Sequence, residues 1–291
     1  MDQCAMTGDE PGRREMASDV SRAVLAEGTV ELPVLPRVAQ RVMVLANDPD
    51  GSVTELAHVL KHDPAFAAHL LRLANSPLFA AKSPIVSITQ ALARLGMRQV
   101  RDFALVISMR AGVYSVAGYE ADLEELFRTA LVSALFAQEV ARSRRLGVEE
   151  AFLAGLLHDI GEPVALRLAV EQVSKTEDPR TPAARERIWT SVRELHGPIG
   201  ADVVRAWTLP EPLALAALKH HQQYPLEPLT QMVAVADALT RCALLRCTCA
   251  TGEAHVPDAS EATMEALNLY PEDMIALVER GPELVAAAGA A

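Results

Sequence analysis

The sequence is poor in aromatic residues, which make up 4% of its 291 positions although half of the chain is hydrophobic. Alanine and leucine supply much of the apolar content, whereas the cores of β-sheets depend on aromatic and β-branched residues. The sequence also lacks an apolar run of the roughly 20 residues that a bilayer-spanning helix needs. These two absences favour a helical fold and argue against a transmembrane protein.

Positive charge is scarce as well, since 27 Lys and Arg residues stand against 38 Asp and Glu residues. The resulting net charge of −11 argues against nucleic acid or an anionic membrane as the main partner, because both attract basic surfaces. The polar N-terminus lacks the apolar middle of a signal peptide. We therefore expect a cytoplasmic protein that binds no membrane, and nucleic acid is not an expected partner.

Cysteine is rare, and its four positions do not form a disulfide framework in a chain of this length. Three of them, Cys242, Cys247 and Cys249, lie within eight residues of one another. This grouping leaves a metal clip as an alternative. Reduced thiols packed on a helix are the simpler interpretation.

Apolar residues recur at helical spacing through most of the chain, and no stretch predicts a pair of strands. Ser52 with Glu55, and Ser87 with Gln90, have the spacing of a capping box, and Gly96 is typical of a helix end. Further helices are predicted at about 122–145, 149–159, 183–195, 198–207, 211–221, 229–246 and 260–280. The sequence therefore predicts an all-α protein.

Composition and loop signals divide the predicted helices into two consecutive lobes with a break near 112–121. The predicted segments are a disordered leader at 1–18, a first helical lobe at 19–118, a second helical lobe at 119–246, and a C-terminal helical extension and tail at 247–291. The C-terminal extension has an apolar pattern that fits either docking on the second lobe or self-association.

The stretch "AFLAGLLHDIGEP" places His158 and Asp159 side by side at the end of an apolar helix. Downstream, four more residues could join them: His196, His220, His221 and Asp237. Imidazole and carboxylate together suit iron, manganese or zinc, and a buried carboxylate is costly unless it is paired or coordinated. Taken singly, each residue has a plainer interpretation as a satisfied core residue, a helix cap or a buried acceptor.

The segment "ELPVLPRVAQRVMVLANDPDGSVTELAHVLKHDPAFAAHLLRLANSPLF" resembles the opening of the HDOD domain, a bacterial signalling module. The resemblance continues through "SPIVSITQALARLG", "AFLAGLLHDIGEP", "HGPIGADVVRAWTLPEPLALAALKHH" and "VAVADALT". It covers about residues 28–240. It implies that the second lobe is similar to the HD domain.

HDOD domains are similar to the HD and HD-GYP metal-dependent phosphohydrolases, which bind metal through an earlier His, a His-Asp pair and a later Asp. The resemblance implies that His158, Asp159 and Asp237 match the pair and the later Asp. It also implies that His196 and the doublet at 220–221 occupy positions of additional ligands.

Three departures from the active pattern set this sequence apart. Thr129 stands where the first His would be, and a hydroxyl is a poor replacement for imidazole as a ligand. Glu162 replaces the lysine that usually follows the HD-x-G turn, and the extended GYP signature is absent. The resemblance implies a degenerate metal site and a regulator that is not catalytic.

Three hypotheses stay open at this point. The first is a bacterial signal-transduction protein that is not an enzyme and for which no cofactor is expected. It would act by binding a protein partner or a nucleotide such as a cyclic dinucleotide. The second is a phosphohydrolase with a reduced ligand set for Fe, Mn or Zn. The third is metal binding without catalysis, in which the ion supports the fold or acts as a signal.

Overall fold

The computed structural model describes residues 20–24, 32–34, 37–48, 51–61, 63–75, 84–108, 115–222, 227–244 and 261–289. Within these ranges the chain forms helices joined by turns, without a strand, which confirms the predicted all-α class. In the same ranges, no helix combines the length and the apolar character needed to cross a lipid bilayer. The predicted leader and two of the three clustered cysteines lie outside the described residues.

The first lobe consists of short amphipathic helices that bury one face each. They are α1 (Arg37–Asn47), α2 (Val53–Lys61), α3 (Pro64–Ala74), α4 (Ile88–Leu95) and α5 (Met97–Ser108). The predicted cap of α4 is confirmed, because the backbone N–H of Gln90 donates to the Ser87 hydroxyl over 3.2 Å. Gly96 ends α4 at a φ of 81°, a backbone angle that glycine adopts without strain.

The second lobe is built on two long helices, with shorter helices packed between them. Its elements are α6 (Glu120–Arg144), α7 (Val148–Leu157), α8 (Gly161–Val173), α9 (Pro182–Ala206), α10 (Glu211–Lys219) and α11 (Pro228–Leu244). Helices α6, α7 and α11 pack together, while α9 lies against α8 and α10. The two lobes share one continuous hydrophobic core.

Two elements of the second lobe correct the sequence prediction. Helix α8 was not predicted, because Gly161 was interpreted as a helix end; instead Gly161 and Pro163 occupy its first turn, where proline is tolerated. The helices predicted at 183–195 and 198–207 are one helix, α9, which continues through Pro198. His196 therefore lies inside a helix and not in a turn that precedes one.

The N-terminal residues are tied to α9 at two points. The Ser21 hydroxyl donates to the Glu194 carboxylate over 2.5 Å, and the Trp207 indole N–H donates to the carbonyl of Pro33 over 2.8 Å. These contacts join the first lobe to the helix that carries His196.

The C-terminal extension docks on the second lobe through α12 (Glu261–Ala266), α13 (Pro271–Glu279) and α14 (Gly281–Gly289). Arg144 at the end of α6 pairs with Asp273 over 2.9 Å. Arg280, between α13 and α14, bonds the Glu139 carboxylate on α6. The docking alternative of the two predicted for this segment is therefore the arrangement observed.

Candidate metal centre

Six polar residues from four elements meet at one place in the second lobe. His158 and Asp159 follow the end of α7, His196 lies within α9, and Asp237 lies within α11. His220 and His221 directly follow α10. The structure thus brings together all six ligand candidates that the sequence suggested.

Two glycines allow these elements to approach so closely. A Cβ atom on Gly155 would lie 2.9 Å from the Ser133 carbonyl oxygen, so α7 runs directly against α6. A Cβ atom on Gly161 would lie only 2.0 Å from the His196 carbonyl oxygen. Any side chain at residue 161 would therefore push α9, and His196 with it, away from Asp159.

Backbone carbonyls orient three of the histidine rings through their Nδ1 atoms. His158 Nδ1 lies 2.8 Å from the Gly155 carbonyl oxygen. His196 Nδ1 lies 2.9 Å from the carbonyl oxygen of Arg193, and His220 Nδ1 lies 3.0 Å from that of Ala217. Since a carbonyl only accepts, Nδ1 carries the hydrogen, and in the neutral ring Nε2 carries a lone pair.

All three of these Nε2 atoms face the Asp159 carboxylate. The distances to its oxygens are 2.9 Å from His158, 3.2 Å from His220 and 3.6 Å from His196. His158 Nε2 also lies 3.9 Å from an Asp237 oxygen. The rings themselves are in contact, with the His158 and His220 centroids 4.9 Å apart.

The convergence leaves four buried atoms without a hydrogen bond among the described residues. They are Nε2 of His158, His196 and His220, and Oδ1 of Asp159. Lone pairs that face lone pairs repel each other, and a buried polar atom without a partner costs about 1–3 kcal/mol. A proton or a cation at the centre would relieve this arrangement.

Asp237 has a different environment from Asp159. The Arg241 guanidinium, one helical turn away on α11, donates to its carboxylate. His221 Nδ1 lies 3.9 Å from the same oxygen and is half exposed. Sequence reasoning missed Arg241, although its (i, i+4) spacing from Asp237 is the usual signal for a helical ion pair.

Burial and neighbouring charges shift the pKa values of the histidines in different directions. Burial alone would lower the pKa of His158, but the carboxylates of Asp159 and Asp237 raise it well above its ordinary value. Burial, followed by the effect of its histidine neighbours, lowers the pKa of His196. Burial and then the charge of His220 lower the pKa of His221 to about 4.

Glu162, in the first turn of α8, adds a further carboxyl group near the cluster. Burial, and then the negative charge of Asp159, raises its pKa well above the ordinary value. A second ionised carboxylate beside Asp159 is therefore disfavoured in the metal-free protein.

The donor set fits a divalent transition metal. Two overlapping groups have ligand atoms within 4.8 Å of one another. One group comprises Asp159, His196, His220 and His221, and the other comprises His158, His220 and Asp237. Imidazole nitrogens with carboxylate oxygens suit iron, manganese and zinc. Metal-ligating histidines usually donate their other ring N–H to a carbonyl or carboxylate, as Nδ1 of the three oriented rings does here.

The resemblance implies that a first ligand would come from α6, at Thr129. Thr129 is half buried there, one turn before Ser133, whose hydroxyl is buried without a hydrogen bond among the described residues. Helix α6 contains no histidine, and none of its residues belongs to either ligand group. The cluster therefore contains no imidazole from α6.

Comparisons with solved structures show the same fold. A candidate metal-dependent phosphohydrolase from Shewanella amazonensis SB2B is 20% identical, with a TM-score of 0.69 over 96% of this chain and 100% of its own. An HDOD domain protein of unknown function from Geobacter sulfurreducens is 24% identical, with a TM-score of 0.67 over 94% of this chain and 98% of its own. A candidate signal transduction protein from Marinobacter aquaeolei VT8 is 25% identical, with a TM-score of 0.64 over 96% of this chain and 65% of its own.

Sequence comparison adds one curated relative and a family. An uncharacterized protein of Treponema pallidum (strain Nichols) is 25% identical over 231 residues, which are 75% of this chain but 44% of that protein. The chain therefore spans less than half of the length of this relative. The HDOD domain matches residues 32–223, and this match confirms the resemblance seen in the motifs. The chain belongs to the HDOD domain family.

Proposed function

We propose that this protein is a non-catalytic signal-transduction protein that holds a divalent metal ion in its second lobe and acts by binding a protein partner or a nucleotide. His158, Asp159 and Asp237 would hold the ion, with His196, His220 and His221 as further ligands. The observation that carries the proposal is the convergence of three buried imidazole Nε2 atoms on the Asp159 carboxylate, with Nε2 of His158, His196 and His220 and Oδ1 of Asp159 making no hydrogen bond among the described residues. Such a set of ligand atoms suits a cation, and in the metal-free protein the raised pKa of His158 lets one proton take the place of that cation.

A purely structural role for the six residues predicts a different geometry. A hydrogen-bonded relic would pair donors with acceptors, because unpaired buried groups cost free energy. Here the Nδ1–H donors of three rings are already used by backbone carbonyls. The remaining ring nitrogens therefore have only the two carboxylates and one another to face.

The residues around the cluster argue against hydrolysis of a phosphodiester. A bound divalent ion would supply Lewis acidity toward a phosphoryl oxygen. The chain, however, contributes no imidazole from α6, where Thr129 stands. It also has Glu162, whose raised pKa favours the neutral form, where the resemblance implies a lysine, so this position offers no positive charge to an anionic phosphate.

A metal-dependent phosphohydrolase remains the second candidate function, because one observation favours it. The two ligand groups share only His220, which has one free nitrogen and can bind one ion; the other donors, Asp159, His196 and His221 in one group and His158 and Asp237 in the other, could hold two neighbouring ions. Paired ions are a common means of stabilising the charge of a phosphoryl transition state. The description of the Shewanella amazonensis relative as a candidate phosphohydrolase points the same way.

The deciding measurement is the metal content of untagged protein purified without a chelator. We expect about one or more equivalents of iron, manganese or zinc per chain. The Asp159→Ala variant should lose this metal because the substitution removes a carboxylate ligand. Asp202→Ala is the matched control, since Asp202 is exposed and pairs with Arg205 on the surface of α9. Less than about a tenth of an equivalent after soaking with each ion would contradict the proposal.

A hydrolysis assay on the metal-loaded protein then separates the two candidate functions. Bis(p-nitrophenyl) phosphate is a suitable probe because it reports phosphodiester cleavage without a specific base or sugar. Metal without turnover supports the non-catalytic proposal. Metal-dependent turnover that disappears in Asp159→Ala would replace it with the phosphohydrolase.

A further inference from the structure

A cavity of about 330 Å³ lies at the junction of the two lobes and the C-terminal extension. Gln99 of α5 borders it from the first lobe, Gln138 of α6 from the second, and Leu284 of α14 from the extension. None of the residues that line it belongs to the His–Asp cluster. Its volume lies within the range of small-ligand sites, which is about 300–1,000 Å³.

The cavity has an apolar floor and two carboxamide groups on its walls. Leu135, Phe152 and Leu284 line it and are almost fully buried. Gln99 and Gln138 are partly buried, and neither carboxamide has a hydrogen-bond partner among the described residues. Each carboxamide offers a donor and an acceptor side by side. A ligand that presents the complementary pair would gain hydrogen bonds that the protein alone does not make.

The charged residues at the cavity cancel one another. Arg142 and Arg280 both bond the Glu139 carboxylate, and Arg280 also lies 3.6 Å from Glu283. Two positive and two negative side chains leave this wall without net charge. A phosphate or another multiply charged anion would gain no net attraction from this wall and would lie beside the Glu139 and Glu283 carboxylates. The electrostatics therefore favour a neutral ligand.

From these features we infer that the cavity binds a neutral nitrogen heterocycle of the purine type, presented as a nucleoside. Adenine offers the acceptor N7 beside the N6 amino donor, and guanine offers the N1–H donor beside the O6 acceptor, so a carboxamide can contact either base through two hydrogen bonds. The apolar floor accommodates the flat ring, and the Glu139 carboxylate accepts from a sugar hydroxyl without the need for a charged ligand.

Binding at this place would contact the first lobe, the second lobe and the C-terminal extension at once. Gln99 belongs to the first lobe, while α14 lies outside the part of the chain that matches the HDOD domain. A ligand that touches both stabilises the docked arrangement by mass action. The site would thus supply an input that is independent of the metal centre, and its test does not depend on the proposed function.

The experiment is equilibrium dialysis of the full chain with adenosine and with guanosine, together with the shift in melting temperature. We expect at least one of them to bind with one site per chain and to raise the melting temperature. Gln99→Leu and Gln138→Leu should each weaken binding by about tenfold or more, which corresponds to the loss of one good hydrogen-bond pair. Gln172→Leu is the matched control, because Gln172 accepts from Lys175 on α8, away from the cavity.

Two further arms keep the test decisive. Gln138→Glu preserves the shape of the side chain and removes its N–H donor, so it replaces the leucine variant if that variant fails to fold. It should likewise weaken binding. The inference is overturned if neither nucleoside binds at about 5 mM, well above ordinary small-ligand dissociation constants. It is also overturned if both Gln variants bind like the parent protein, or if the nucleoside monophosphates bind more than about tenfold tighter than the nucleosides, since that would mark a phosphate site.

Discussion

Two carboxylates of the second lobe, Glu139 on α6 and Asp159 after α7, are each largely withdrawn from water, and their surroundings differ. Glu139 receives Arg142 from its own helix and Arg280 from the C-terminal extension. Asp159 faces three histidine Nε2 atoms, none of which makes a hydrogen bond. One carboxylate is neutralised by permanent cations of the chain. The other depends on a group that can be gained or lost, either a proton or a metal ion.

This difference separates a charge that is always balanced by the chain from one whose balance depends on a proton or a metal ion. Guanidinium groups stay charged at any physiological pH, so the two cations that hold Glu139 do not change near neutrality. Imidazoles change their charge near neutrality and bind metals when they are neutral. The Asp159 cluster can therefore exist in more than one state, which a signalling protein needs and a fold does not.

The largest expected effect comes from Gly161→Ala, which should break the Asp159 cluster sterically. The added Cβ atom would lie 2.0 Å from the His196 carbonyl oxygen and 2.5 Å from the Gly200 nitrogen, so the backbone of α8 or α9 must move. We expect a loss of about 3 kcal/mol in the free energy of unfolding, as for severe overpacking, together with loss of bound metal. Urea unfolding and elemental analysis measure the two effects.

Gly289→Ala is the control for this substitution, because nothing lies within 4 Å of the Cβ atom it would add. Its stability should match that of the parent protein. Equal stability of the Gly161→Ala and Gly289→Ala variants would show that α8 and α9 do not approach as closely as described.

A smaller effect is expected from Glu139→Ala, which breaks the other side of the comparison. The Glu139 side chain is only 11% exposed, and its removal leaves Arg142 and Arg280 without their shared acceptor. We expect a loss of about 2 kcal/mol in the free energy of unfolding, without any change in metal content. Chemical denaturation of both proteins gives the difference.

The matched control is Glu125→Ala on the same helix. Glu125 is 53% exposed and pairs with Arg128 at (i, i+3) spacing, so its removal should change stability by less than about 0.5 kcal/mol. If Glu125→Ala were as damaging as Glu139→Ala, the burial of Glu139 would not be the cause.

The smallest effect is a pH dependence of the metal-free protein, which concerns the Asp159 cluster alone. The pKa of His158 is raised in the folded state, so its contribution is complete below about 6.5 and is lost as the pH rises through the folded value. The pKa of His221 is lowered to about 4, so its contribution is present above about 6.5 and is lost as the pH falls toward 4. The combined contribution of these two groups should therefore be greatest near pH 6.5, and the change on the acidic side should be small because solvent screens the half-exposed His221.

Urea unfolding in the presence of a chelator from about pH 4 to 9 measures this profile. His158→Gln should flatten the alkaline side, and His221→Gln should flatten the acidic side. A profile that is unchanged by both substitutions would show that the cluster does not titrate in this range.

Local signals in the sequence predicted most of the helices, because capping and periodicity act over a few residues. The Ser87 cap, the Gly96 end and the apolar stripes were sufficient for the first lobe. The same rules failed at α8, which begins at Gly161 and was not predicted, and within α9, where two helices with a gap just before Pro198 were predicted. Burial of the flanking apolar residues outweighs the local cost of these two residues, and burial is not visible in a local pattern.

The sequence by itself determined the helical class, the family resemblance and the adjacency of His158 to Asp159. It also supplied every residue of the candidate site, because chemistry depends on residue type. Only the tertiary structure decided that the Nε2 atoms of His158, His196 and His220 converge on Asp159, and that Arg142 and Arg280 converge on Glu139 instead. The physical reason is that such distances are set by how closely the backbones of packed helices approach, which here depends on contacts such as that of Gly161 with His196.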